Sequence, residues 1–446
     1  MFLIGLALAQ DVVLEGPRIV DVAGAREVEV LVVQDGRIVH LGPDEGGYEG
    51  LERRDARGTT VIPGLVDAHV HLSLAPGSAF VERTAAEEEA RWAEHLRAFV
   101  ATGVTTVLDT GITEANAERL LALDGPAPTI RLLGPLVSPP GGYVSVVIPA
   151  FPPTPDAASL QAQIDGFARF EPIGIKVTME SGMLGSIWPL QEQGVREALN
   201  AQPQRLFVHT MHRDMAIEAL DTLDVHALVH APDDVEGITD RLRDIPVVTT
   251  LSVYDAMLNP FRPERLETPL AQLVVPADER AAVLDRHKRK AANRILVKTM
   301  VPKLPGFLRG LAIAVAGGEG SIVKRRKRAG QALRALHADG VQLVLGSDSG
   351  NWPVFLDYLH ALSTVQEAEA LVDVGFTPAE VLAMGTVNGA RLLGLEDELG
   401  TIGVGKRASL VVLERDPLAD IGALRDVRWV MHDGRIDTPE GWMRPD

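Results

Sequence analysis

The sequence predicts an α/β fold, a (β/α)8 barrel of eight parallel strands, and three observations predict it. After residue 60, apolar and β-branched runs alternate with longer segments of helical composition, the pattern of parallel strands covered by helices. Eight such runs can be marked, ending at His71, Asp109, Gly134, Val177, His209, His230, Leu251 and Asp348. The ionisable residues His69, His71, Lys176, His209, His230 and Asp348 lie near the C-terminal ends of the first, fourth, fifth, sixth and eighth runs, the end at which such barrels carry their active sites.

Composition bounds the rest. At 446 residues the chain is long enough for one large barrel with appendages or for two to three domains. Lys and Arg total 43 against 61 Asp and Glu, a net charge of −18, which disfavours nucleic acid or an anionic membrane surface as partner and leaves small-molecule chemistry. The chain has no cysteine, so disulfides, thiolate sites and cysteine nucleophiles are excluded and any metal must take nitrogen and oxygen ligands. Self-association is left open by these numbers.

Taken in chain order, Met1–Ala9 supports two readings: an exported protein's clipped signal peptide ending in Ala-Leu-Ala, or the approach to a first strand in a cytoplasmic protein. It is too short to span a bilayer. Residues 12–60 read as short strands with turns at Gly36 and at Pro43-Asp-Glu-Gly-Gly, and a matching β pattern returns at Ala408-Ser-Leu-Val-Val-Leu and Arg428-Trp-Val-Met. Residues 12–60 and 400–446 are therefore expected to form one small β-sandwich domain beside a barrel of residues 61–399. Within the barrel, 85–100, 114–123 and 355–374 have helical composition, and Thr377-Pro-Ala-Glu opens another helix with a capping box. Residues 260–338 are too long for a loop and rich in helix formers, which predicts a helical insertion between strands seven and eight. Its basic runs, Arg286-His-Lys-Arg-Lys and Lys324-Arg-Arg-Lys-Arg, read as solvated helix faces, and a lid over the barrel mouth is a secondary role for the insertion.

The chemistry starts at Val61-Ile-Pro-Gly-Leu-Val-Asp-Ala-His-Val-His-Leu. Residues two apart on a strand share a face, so His69 and His71 can bind one metal together. An isolated pair of this kind is more often two core or surface histidines than two ligands; its weight comes from the later strand ends. His209 closes Leu206-Phe-Val-His and His230 closes Ala227-Leu-Val-His, while Lys176 lies in Gly174-Ile-Lys-Val and Asp348 follows Val344-Leu-Gly-Ser. Lys176 has the alternative of pairing with a neighbouring barrel carboxylate. His212 lies past strand five, where it can contact substrate, and His226 falls at the opposite, stabilising end of strand six.

These features together resemble the amidohydrolase superfamily of metal-dependent hydrolases. Pro63-Gly-Leu-Val-Asp-Ala-His-Val-His looks like its first-strand signature and Leu345-Gly-Ser-Asp-Ser-Gly like its eighth. Thr386-Val-Asn-Gly-Ala-Arg-Leu-Leu-Gly-Leu and Gly400-Thr-Ile-Gly-Val-Gly-Lys-Arg-Ala-Ser-Leu-Val-Val-Leu are similar to its closing helix and return strand, with Ala408-Ser409-Leu410 where the family usually has Ala-Asp-Leu. Gly134-Pro-Leu-Val-Ser-Pro-Pro-Gly-Gly-Tyr143 resembles a strand-three loop of the prolidase and imidazolonepropionase-like branch, which commonly has histidine where Tyr143 stands. That substitution, with Thr210-Met211-His212 in place of the peptidases' Ala-Tyr, weakens any transfer of dipeptidase activity. Tyr143 either donates a hydrogen bond to a substrate carbonyl or carboxylate or packs its loop.

The resemblance implies a two-metal site. His69, His71 and Asp348 would bind the buried ion, His209 and His230 the more exposed one, and Lys176, carboxylated by CO2 to N6-carboxylysine, would bridge them. An unmodified ammonium has no lone pair with which to do so. Imidazole and carboxylate ligands suit Zn2+, with Mn2+, Co2+ and Fe2+ as alternatives. The implied reaction is hydrolysis of an amide C–N bond in a small substrate such as a dipeptide, an N-acyl amino acid or a cyclic amide, by attack of a metal-bridging hydroxide with Asp348 as base and then acid. Ester, lactone or organophosphate hydrolysis on the same site is the alternative, followed by an inactive binding protein, against which the full ligand set speaks.

Overall fold

The structure, a computed structural model, describes residues 10–144, 148, 150–180, 189–300 (side chains to 295), 318–351 and 355–445. The expectation for residues 1–9 lies outside these. Among the described residues no helix is long and apolar enough to cross a membrane.

Eight parallel strands form the barrel: Leu65–Val70, Val104–Asp109, Thr129–Leu132 continued at Leu136–Val137, Gly174–Thr178, Arg205–His209, Val225–Leu228, Val247–Val248 and Leu343–Val344. Each pairs with the next in sequence, and the third strand is joined to the fourth on both sides of its interruption, where Ile173 N donates to Leu132 O (2.9 Å) and Gly134 N to Gly174 O (3.0 Å). The ring closes between the last and first strands: Ala68 N donates to Leu345 O (3.0 Å), Asp348 N to His69 O (2.7 Å) and His71 N to Ser349 O (2.8 Å). This closure lays the His69–His71 segment directly against the Asp348 segment.

Gly346 permits the approach. A Cβ there would collide with Val248 Cγ1 and come within 2.9 Å of His69 Cβ and 3.1 Å of His69 N. Below the strand ends, Val66, Ala68, Leu108, Leu133, Phe207, Ala227, Val229, Val248 and Val344 pack into an apolar plug, as interior layers of such barrels do. The mouth above it is consequently the end that carries polar groups.

Helices cover the outside. Ala85–Ala101 starts at a Thr84/Glu87 capping box and buries Trp92, Leu96 and Phe99, one stripe at helical spacing. The capping box expected at Thr377 is present, with Glu380 as its partner. The helix expected from residue 355 begins only at Leu362. Ala361 is the reason: it sits at φ 63°, ψ −51°, and Leu362 N donates to His360 O (2.6 Å), a tight turn from which a helix cannot be continued backwards.

Outside the barrel, a four-stranded sheet comes from residues 12–55, and a six-stranded sheet interleaves both chain ends in the order Arg435–Asp437, Val427–His432, Leu410–Leu413, Thr60–Pro63, Arg18–Asp21, Gly24–Glu27. Val12, Leu14, Leu31 and Val33 of the first pack against Ile19, Val61, Leu410 and Val412 of the second. Between strands seven and eight lie the helices Ser252–Leu258, Pro269–Val274, Ala277–Leu284, Arg286–Met300 and Glu319–Ala338. The second basic run is not wholly solvated: Arg326 bonds Asp255 (2.5 Å) and Asp373 (3.2 Å), pinning Glu319–Ala338 to two neighbouring helices.

Candidate metal centre

His69, His71, Lys176, His209, His230 and Asp348 are all at least 90% buried and meet at the mouth of the barrel. Their rings form an arc, with centroids 5.3 Å apart for His71–His69, 4.6 Å for His69–His230 and 4.5 Å for His230–His209. Ligand atoms of His69, His230 and Asp348 lie within 4.8 Å of one another. Exposure does not divide the histidines into a buried and an open pair, since His230 is 2% and His71 6% exposed.

The tautomers are set from behind. Nδ1 of His69 lies 2.8 Å from Val229 O and Nδ1 of His71 3.2 Å from Gly111 O, and a carbonyl can only accept. Both rings therefore carry their proton on Nδ1 and turn the Nε2 lone pair inward. Nδ1 of His230 meets Thr250 Oγ1 at 2.9 Å, and Thr250 is held at φ 47°, an outlier for a β-branched residue. Burial, with the Lys176 charge second, holds His69 well below the usual imidazole range, and burial brings His230 down to about 4. Neutral imidazoles are the form that binds a metal.

Asp348 Oδ1 lies 3.2 Å from Nε2 of both His69 and His71. Burial pushes its carboxyl up, but the polar and positive groups packed around it, the Lys176 ammonium among them, outweigh this and hold it below the ordinary value. Three acceptor atoms, two imidazole lone pairs and one carboxylate oxygen, thus face one another. Such a convergence is stabilised by a cation, whether the Lys176 ammonium, 3.2 Å from His69 Nε2, or a metal ion. Nε2 of His209, by contrast, is buried without a hydrogen-bond partner. The donor set fits a divalent metal.

Lys176 stands among these groups, with Nζ 3.2 Å from His69 Nε2 and 3.0 Å from Thr110 Oγ1. Burial brings its ammonium down to about 8, against the opposing pull of Asp348 and Asp109. Bracing comes from Asp67, which accepts from His69 N (3.2 Å), Ser347 N (2.9 Å) and Thr364 Oγ1 (2.6 Å) and so ties the first strand to the last loop.

A profile of the amidohydrolase family matches residues 60–437. The chain belongs to that family. The 5-methylthioadenosine/S-adenosylhomocysteine deaminase of Symbiobacterium thermophilum is 24% identical over 467 aligned positions, covering 96% of this chain and 93% of that protein. An imidazolonepropionase of the same organism is 26% identical over 444, covering 93% and 91%. A solved Xaa-Pro dipeptidase structure superposes with a TM-score of 0.71 at 17% identity, covering 96% of this chain and all of that one, which supports the barrel fold. This amidohydrolase is accordingly an enzyme, a metal-dependent hydrolase.

Around the amidohydrolase centre, Tyr143 stacks on His209 with centroids 4.9 Å apart at 20°. Burial, with Glu180 and Asp348 adding to it, raises its phenol far above the ordinary value, so it remains a proton donor. His212 is partly exposed at the rim, with Nε2 3.3 Å from Glu180 Oε1 and Nδ1 3.7 Å from Asp233 Oδ2. The His226 ring packs against Phe207, away from the mouth. Glu180 was not foreseen: its buried carboxylate lies 3.7 Å from His209 Nε2 and accepts from Met211 N (2.8 Å). A carboxylate just beyond the fourth strand's lysine was the only available signal, and a lone Glu in a loop carries little weight.

Proposed function

We propose that this enzyme hydrolyses an amide C–N bond in a small substrate such as a dipeptide, an N-acyl amino acid or a cyclic amide. His69, His71, Lys176, His209, His230 and Asp348 would hold two divalent ions, zinc being the ion their nitrogen and oxygen donors suit, with Lys176 as N6-carboxylysine. The observation that carries the reading is the convergence of the His69 and His71 lone pairs on the Asp348 carboxylate, each at 3.2 Å. When bound, such ions lower the pKa of water and polarise a carbonyl.

The chain's own groups do the remainder. The Lys176 amine attacks CO2, forming an N–C bond as one C=O π bond opens and losing one proton to solvent, which replaces a cation among the site's histidines by an oxygen-donor anion. Asp348 accepts the proton of the attacking water and returns it to the leaving nitrogen. It is held for this at φ 53°, with its other oxygen accepting from Asn351 Nδ2 (2.6 Å). Tyr143 donates its phenolic proton to a substrate carbonyl or carboxylate oxygen, and His212 meets the substrate at the rim. The plug beneath and the packed strand ends exclude bulk water from below.

The test is a screen of the zinc-loaded protein against dipeptides, N-acyl amino acids, cyclic amides and 5-methylthioadenosine, with lactones and phosphotriesters alongside. Turnover of an amide substrate that chelation abolishes is expected. Turnover confined to lactones, or to phosphotriesters, would replace the amide reading by the ester or organophosphate one.

A further inference from the structure

Behind the metal centre, and outside the six residues that form it, three polar side chains are buried together: His95 on the first outer helix, His360 before Leu362–Asp373, and Glu279 on Ala277–Leu284 of the insertion, at 1%, 2% and 3% exposure. Nε2 of His95 lies 2.9 Å from Glu279 Oε1. The His95 and His360 rings pack with centroids 4.3 Å apart, tilted at 44°, and His360 Nδ1 meets Ser349 Oγ at 3.4 Å. Ser349 is the neighbour of Asp348, and its carbonyl accepts from His71 N (2.8 Å).

The contact is close at the next residue too. A Cβ on Gly350 would strike both the His360 ring and His71 O, so this ring edge lies close against the backbone joining the two ligand segments. His360 is itself aimed by the strained turn at Ala361. Such strain persists only where the surroundings over-determine a conformation, and it clusters at functional sites. Polar groups are an expensive filling for a core: His95 Nδ1 and Glu279 Oε2 have no hydrogen-bond partner, and apolar residues of similar volume would pack more stably. Arg91, with Nη1 3.7 Å from Glu279 Oε1, supplies the charge that tolerates the carboxylate there.

We propose that Glu279, acting through His95 and His360, is a positioning residue that holds the Ser349–Gly350 backbone and with it the Asp348 carboxylate, so that the insertion between strands seven and eight braces the metal centre rather than merely roofing it. The proposal rests on the metal-site reading for Asp348, and the experiment separates the two. Glu279→Leu breaks the chain, and Glu279→Gln keeps an acceptor for His95. His360→Phe keeps a ring but loses the bond to Ser349 Oγ. Two readouts are taken on the full chain: release of zinc to a chromogenic chelator, and amide hydrogen exchange of the peptide covering residues 345–351.

Glu279→Leu and His360→Phe are expected to release zinc about 10-fold to 100-fold faster, the usual cost of losing a group that orients a metal ligand, and to exchange the 345–351 amides faster. Glu279→Gln is expected to restore both towards wild type. A purely structural role would lower the unfolding temperature in all three variants without this selective rescue, and release and exchange rates equal to wild type in folded variants would overturn the proposal. Should Glu279→Leu fail to fold, His360→Phe decides. Should wild type bind no zinc, the metal reading fails while the exchange readout still judges the brace.

Discussion

Assembly of the site is predicted to switch on with rising pH, because Lys176 must be a neutral amine before it can attack CO2. Burial brings its pKa from the ordinary 10.5 to about 8. The sign follows directly: a lowered folded pKa leaves the ammonium dominant below about 8 and the amine dominant above it. The amine fraction is then roughly one tenth at pH 7, about half at pH 8 and roughly nine tenths at pH 9, whereas an ordinary lysine at pH 7 would be about 0.03% amine. The barrel interior thus makes Lys176 roughly 300-fold more available at neutral pH. The assay strips metal and bound CO2 by chelation at low pH, then adds zinc and 13C-labelled CO2 at constant dissolved concentration. The initial rate of appearance of a carbamate carbon resonance is followed from pH 6 to 10. A rise with its midpoint near 8 is expected. A midpoint near 10, or carbamate formation independent of pH, would refute the argument from burial.

Three further outcomes follow from the same geometry. Asp348→Asn should keep the fold and much of the metal while turnover falls by roughly two to four orders of magnitude, since an amide cannot accept and return a proton; a metal-replete variant within a few-fold of wild type would move the base elsewhere, with His212 and Tyr143 the next to examine. Lys176→Ala should lose metal by elemental analysis and regain part of its activity with added short carboxylic acids, and full activity without them would count against the bridge. Gly346→Ala should lower stability by about 1–3 kcal/mol in a denaturant titration, as overpacking does, and weaken zinc binding because the added methyl presses on His69 Cβ and N; unchanged stability and binding would show that the closure between the last and first strands is looser than described.

Much of the barrel was legible because it depends on local periodicity. The strands carry period-two or continuous apolar runs, and each of the six polar residues sits at or near a run's C-terminal end, so the sequence alone brought them to one face. What escaped depends on long-range packing. Glu180 joins the site only through its contacts with Met211 and His209, some 30 positions on, and His95 meets Glu279 across 184 positions of sequence. The late start of Leu362–Asp373 escaped because alanine at φ 63° leaves no compositional trace, where glycine or asparagine would have signalled a break. Arg326 was read as solvated because a charge run on a helix does not reveal which of its members faces Asp255 and Asp373.

The central claim, metal-dependent hydrolysis of an amide C–N bond at these six residues, is tested most directly by the origin of the product's oxygen. Zinc-loaded protein is incubated with its best amide substrate in 18O-labelled water, and the products are analysed by mass spectrometry before and after chelation. The account predicts one 18O atom in the newly formed carboxylate, release of the amine, and loss of both on chelation with recovery when zinc is restored. Unlabelled product, or cleavage that continues at full rate in the chelated protein, would contradict it.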